Sequence, residues 1–322
     1  MSRIVIRNLA SAVDLLRGSW DKPAMDAWVI ISVLAAAVQT LRFMLQKQLK
    51  GLGLSTGGAT FSRFLFAAPL AVAALLALLL GLGQSLPSVN AWFFIYAVIG
   101  GLAQILATFC TVALFSKRSF AVGIAFTKTE TIQVALLSVL LLGDGVSLLG
   151  WLAIIIGTLG VLLLSRPPEG WRSGRFLNAA TGLGVLAGAL FGLAAIGYRG
   201  ATLQVDSELA VLRAVTALAL ATSFQALAMT LWLAWREPGE VARVVRSWRK
   251  TALVALTGVM GSAGWFIAFS LQNAAYVRSV GQIELIFSIL VSVLVFRERP
   301  SLIEVIGMGL LAASIIAIIL LG

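Results

Sequence analysis

The chain has 322 residues, 60% hydrophobic and only 11% charged, with a mean hydropathy of +1.01. Soluble domains average about 25% charged residues, which excludes water as the main solvent. The net charge of +11, from 24 Lys and Arg against 13 Asp and Glu, falls mostly in connecting segments, so it points to lipid headgroups rather than nucleic acid.

In chain order, residues 1–25 lack the short apolar core and small-residue cleavage site of a signal peptide. There Arg3, Arg7, Asp14 and Arg17 share one helical side, with Ile6, Leu9, Val13, Leu16 and Trp20 largely opposite. That is the pattern of an interfacial helix, with a simple tail as the alternative. A helix needs about 20 apolar residues to cross a hydrocarbon core of roughly 30 Å. Ten such spans are predicted, at 26–48, 57–82, 90–115, 120–142, 147–165, 178–199, 207–235, 250–272, 274–296 and 301–321. Breakers such as "GLGLSTGG", "GLGQSLPSVN", "SRPPEGWRSGR" and "WREPGEVARVVRSWRK" separate them, and Pro69, alone among the prolines in lying within a span, should kink the second. The expected class is an all-α polytopic membrane protein.

Sliding the chain by 154 residues lays 120–165 on 274–319 without a gap. Glu130 then falls on Glu284, Ser138-Val139-Leu140 on Ser292-Val293-Leu294, and Asp144 on Glu298. Nearby offsets place "SVLAAAV" (32–38) over "GVLAGAL" (184–190) and Arg63 over Arg213. These matches predict a duplication: a first five-helix unit at 26–165, a linker at 166–177 and a second unit at 178–322. An odd number of spans per unit turns the second copy over, giving inverted repeats.

The run "R-F-L-F-A-A" in the second span, and a Glu fourteen residues before the acidic residue of a short "L-L-G-D" turn, carry a family likeness. Through both Glu130–Asp144 and Glu284–Glu298, the chain resembles the EamA-type members of the drug/metabolite transporter (DMT) superfamily. It departs from the pattern at Thr131 and Leu285, where family members often have proline, and at "F-R-E-R", which lacks the turn glycine. The resemblance implies a ten-helix carrier working by alternating access, and leaves the solute open.

Ionisable residues within spans are costly and default to functional roles. Glu130 and Glu284 lie too deep to snorkel, and a desolvated carboxyl can exchange a proton near neutral pH. Static pairing with Arg42 or Lys128 is the alternative; Lys128 cannot pair with Glu130 itself, because i and i+2 diverge on a helix. Arg42 and Lys128 against Glu130 and Glu284 give near balance, which suits a zwitterion, whereas protonated glutamates would favour an organic anion. Gln39, Gln104, Gln133 and Gln282 offer hydrogen bonds, with Phe126, Trp265 and Phe287 as apolar walls, though each taken singly is as well explained by packing. Arg63, Arg213 and Arg278 lie a few residues into their spans, so they are expected to shape a cavity entrance or to bond neighbouring helix ends. Gly184, Gly188 and Gly192, with Gly258, Gly261 and Gly264, thin the sixth and eighth spans for close approach.

The expected function is a secondary transporter, in the exporting direction, of small metabolites such as amino acids or drug-like solutes. Protons or the solute gradient would drive it, in the inner membrane of a bacterium, as monomer or homodimer. A channel or a lipid-linked-sugar flippase on the same scaffold is the alternative. No histidine, a single cysteine (Cys110), and no phosphate-binding or zinc-protease motif argue against an enzyme, a metal site or a cofactor. Fourteen Lys and Arg follow the odd-numbered spans against five on the opposite side; that places the termini outside the cytoplasm, whereas the family likeness places them inside.

Overall fold

The computed structural model describes residues 24–49, 53–115, 130–164, 179–287 and 301–321, and these are almost entirely helical. The helices are α1 (Ala24–Leu49), α2 (Thr56–Leu65), α3 (Ala67–Leu82), α4 (Ala91–Phe115), α5 (Glu130–Leu137), α6 (Leu148–Leu164), α7 (Ala179–Leu203), α8 (Ala210–Arg236), α9 (Glu240–Arg246), α10 (Trp248–Leu271), α11 (Ala274–Gly281) and α12 (Leu302–Leu321). A π-helical turn at Ser138–Leu142 extends α5. Among the described residues, seven helices are long and apolar enough to cross a membrane; 130–142 and 148–164 are shorter apolar ones. Parts of the predicted fourth and ninth spans, and Lys128 and Phe126 with them, lie outside the described residues.

Two of the spans are broken inside the molecule. The second is divided at Phe66, three residues before Pro69, whose ring nitrogen cannot bond the Leu65 carbonyl. The ninth is interrupted at Gln282 and Ile283, whose amides bond three residues back to Ser279 and Val280 at 3.2 and 3.1 Å, and helix resumes at 284–287. Hydropathy does not register this second break, since the chain stays apolar through it.

The polarity is that of a protein solvated by lipid. Leu80, Leu148 and Leu302 are at least 75% exposed, while Arg42, Arg63, Glu130, Arg278 and Glu284 are all buried. Without water to drive apolar contact, such helices associate by close van der Waals packing over small residues. Three contacts dominate: α4 on α7, α1 on α10, and α6 on α12. At the first, a Cβ on Gly197 would stand 2.7 Å from the Gly100 Cα; at the second, one on Gly264 would meet the Ala35 Cβ at 2.9 Å. At the third, one on Gly160 would lie 2.8 Å from the Gly307 carbonyl oxygen. On α7 the tightest contacts fall at Gly197 and Gly200, one to two turns beyond the glycines singled out in the sequence.

This packing sets a paired prediction. Gly197→Ala should cost about 1–3 kcal/mol, because backbone rather than a flexible side chain is in the way. Gly182→Ala on the same helix meets nothing within 4 Å, and should be neutral or gain up to about 1 kcal/mol from helix propensity. Thermal unfolding of both variants in detergent would check it, and equal melting points would contradict the crossing.

Candidate functional site

The buried polar groups converge where α1, α4, α7, α10 and α11 meet. A small cavity there is lined by Gln39, Gln104, Tyr198, Ser262, Trp265 and Arg278, with an aromatic wall of Phe191, Phe266 and Phe269. Tyr198 lies against Phe266 with ring centroids 4.3 Å apart, and Trp265 stacks near Phe269 at 6.2 Å. The cavity thus brings an aromatic wall together with several polar side chains.

One chain of contacts runs through this lining. Arg278 on α11 donates from Nε to Glu130 Oε1 at 2.5 Å, and Nη2 donates to the same oxygen. The Arg278 guanidinium carbon lies 4.8 Å from the centre of the Trp265 ring. Trp265 Nε1 donates to Gln39 Oε1 at 3.0 Å, and Gln39 Nε2 donates to Glu284 Oε2 at 3.1 Å. The two glutamates aligned by the 154-residue offset are therefore joined through three cavity-lining side chains. Gly281 makes room for this, since a Cβ there would fall 2.6 Å from the Trp265 ring.

A second network sits beside the first. Gln225 Nε2 donates to Gln104 Oε1 and Tyr198 Oη, both at 2.9 Å, and Tyr198 donates to Gln104. Arg63 bonds Thr108 at 3.0 Å and Ser262 at 3.4 Å. Arg42 donates to Gln46 at 2.8 Å, while its buried Nη2 finds no acceptor among the described residues. Arg42 also lies within electrostatic range of Arg63, Arg278 and Glu284. Gly258 leaves space for both arginine stems: a Cβ there would stand 3.3 Å from Arg63 and 3.5 Å from Arg42.

The sequence-predicted residues divide by place. Gln39, Gln104, Trp265 and Arg278 line the cavity; Glu130, Glu284 and Arg42 stand just behind the lining. Gln282 instead ties Thr131, bridging the ninth and fourth spans. Arg213 bonds the carbonyls of Ser207 and Ser270 at 3.0 Å each, away from the cavity. Arg63 and Arg278 differ from a headgroup-reaching position, being 4% and 9% exposed inside the protein. The reason is the helix breaks: each arginine sits in the last turn of a short helix ending inside the molecule, where a cation also meets the negative end of the helix dipole. Tyr198 and Gln225 are site residues that sequence reasoning does not single out, although a glutamine deep in an apolar run is itself a signal.

A set of polar ties reaches the lining at Phe269. Arg199 Nε meets Asp144 Oδ2 at 3.1 Å, and its Nη1 donates to the carbonyl of the lining residue Phe269 at 2.6 Å. Ser138 donates to Asn273 at 3.0 Å, Asn273 to the Gly145 carbonyl at 3.3 Å, and the Ser147 amide to Tyr276 Oη at 3.1 Å. The turn at 143–147 is thereby hydrogen-bonded to α7 and to the start of α11, and through Arg199 to α10, while Val146 packs on the core.

Similarity to known proteins points the same way as this geometry. The family model described as the EamA-like transporter family matches residues 179–320. Residues 179–320 are an EamA-type unit of the DMT superfamily. One solved protein crystal structure shares this chain's fold with a TM-score of 0.63 at 17% identity, over 90% of this chain and 94% of its own. No curated protein matches the chain. The match and the apolar helices together make this a multi-pass membrane protein whose second half belongs to a transporter family rather than an enzyme family.

Proposed function

We propose that the chain is a secondary active transporter that moves a small organic solute through the central cavity by alternating access. The observation that carries this reading is the unbroken contact chain from Glu130 to Glu284 through Arg278, Trp265 and Gln39. It puts both buried carboxylates in touch with whatever occupies the cavity. The units 26–165 and 178–322 act as inverted repeats on either side of it. The packing of α4 on α7 and of α1 on α10, third on sixth and first on eighth, is the exchange a twofold relation between such repeats requires, with α6 on α12 at the axis.

Charge narrows the solute. Arg42, Arg63 and Arg278 face two buried carboxylates in this region, so an ionised site carries an excess positive charge. That excess favours a solute with an anionic group beside an apolar body, such as an amino acid or a drug-like organic acid. A solute carboxylate that takes Arg278 competes with Glu130 for the same guanidinium, so solute binding and the Arg278–Glu130 contact are linked. The setting is a plasma membrane, the inner membrane in a bacterium.

A thermal-shift screen of purified protein against amino acids, organic anions and cations identifies the solute. Counterflow of the labelled hit in proteoliposomes then distinguishes carrier from channel, because a channel cannot exchange. Glu284→Gln, isosteric and still able to bond Gln39, should keep the fold yet lose the proton-dependent part of transport. Proton-coupled transport surviving in both Glu284→Gln and Glu130→Gln would end the coupling role.

A further inference from the structure

We infer that the segment 235–250, between the ends of α8 and α10, is a docking surface for the headgroups of anionic phospholipids. The inference rests on how the segment sorts its charges. It contains two acids and five cations, and both acids are turned inward. Glu237 accepts a hydrogen bond from the Ser55 hydroxyl. Glu240, with no exposed surface, accepts from the Ser55 amide at 2.7 Å and meets Arg243 at 2.5 Å. A Cβ on Gly58 would run into the Glu240 carboxylate, so that residue too is fitted to the buried acid.

What remains outside is basic and aromatic. Arg236, Arg243, Arg246, Arg249 and Lys250 are all exposed, and none but Arg243 has a carboxylate partner among the described residues. Trp235 and Trp248, 75% and 55% exposed, flank the helix, with Arg236 5.1 Å and Arg249 5.7 Å from the respective ring centres. Indoles with an apolar body and one polar edge belong at the boundary between hydrocarbon and headgroups. The helix between them cannot drift, because Glu240 and Val244 pin its inner face; Val244 has no exposed surface and packs with the Leu54, Phe61 and Leu233 cluster.

The surface is thus a rigid, positively charged shelf set at headgroup depth by its two tryptophans. A zwitterionic headgroup offers it phosphate and ammonium together, whereas an anionic one brings uncompensated negative charge. Each cation near such a surface strengthens binding about fivefold, an effect that falls within the screening length of the salt.

The test uses the full chain in lipid nanodiscs, with Cys110→Ser and Val245→Cys carrying a fluorophore on the exposed face of α9. Quenching by brominated phosphatidylglycerol is compared with quenching by brominated phosphatidylcholine at equal mole fraction. The expected result is at least about fivefold enrichment of phosphatidylglycerol, falling as salt rises from about 50 to about 500 mM. Replacing Arg246, Arg249 and Lys250 with glutamine should remove the preference, while lysine at the two arginine positions should keep it. Equal quenching by the two lipids at low salt would overturn the inference. So would protection of the label by soluble polyglutamate without any preference for phosphatidylglycerol, which would assign the face to an acidic protein instead.

Discussion

Methionine in place of Arg278 is expected to destabilise the protein by about 3–5 kcal/mol, because it leaves Glu130 buried without its cation. The side chain is 9% exposed and Glu130 3%, so little solvent screening softens the loss. A further increment, on the order of 1 kcal/mol, comes from the cation lost over the Trp265 ring. Thermal unfolding in detergent should show a fall on the order of 10 °C. The double variant Glu130→Gln/Arg278→Met removes both charges and should recover most of that stability. Transport, in contrast, should stay lost in the double variant, since the cavity then has neither its guanidinium nor its neighbouring carboxylate. Full transport by a restored double variant would reduce the pair to a structural tie; an unaltered melting point for Arg278→Met would deny the pair its place.

Arg278 also shows how far the sequence can be read. Its chemistry is legible: an arginine in an apolar run is costly enough to require a partner, and Glu130 has to find one on another helix. The partnership is not, because depth in a sequence is a count from the predicted start of a span. That count assumes an unbroken helix, and the ninth span breaks at Gln282, four residues after Arg278. Arg63 is displaced in the same way by the break at Phe66, where Pro69 announces a kink but not that the arginine ends inside the molecule. Seven of the spans are legible despite such errors, because each rests on a long average of hydropathy. The cavity is not, since it depends on which faces of α4, α7 and α10 meet. Tyr198 and Gln104 become neighbours only once α4 and α7 cross at Gly100 and Gly197, and no spacing along one helix encodes that crossing.

Glutamine in place of Arg199 is expected to open the cavity toward the 143–147 turn. The arginine joins three elements, bonding Asp144 in that turn and the Phe269 carbonyl on α10 from its own place near the end of α7. The pair is partly exposed, with Arg199 at 13% and Asp144 at 20%, so by itself it contributes no more than about 1 kcal/mol. The carbonyl bond adds a similar amount, as a hydrogen bond to a charged group. A loss of about one to two kcal/mol from one of two states shifts their ratio roughly five- to thirtyfold. The readout is labelling of Ala195→Cys, a cavity-lining position, by a membrane-impermeant maleimide applied at that end in a Cys110→Ser background. The labelling rate should rise by that factor in Arg199→Gln and less in Asp144→Asn, which keeps the Phe269 bond. Exchanging the charges, Asp144→Arg with Arg199→Asp, should bring the rate part of the way back, because the ion pair is restored but the carbonyl is left without its donor. Hydrogen bonds of this kind can break and re-form locally, as the proposed alternating access requires. A labelling rate unchanged in Arg199→Gln would mean that apolar contacts, not this guanidinium, hold that end shut.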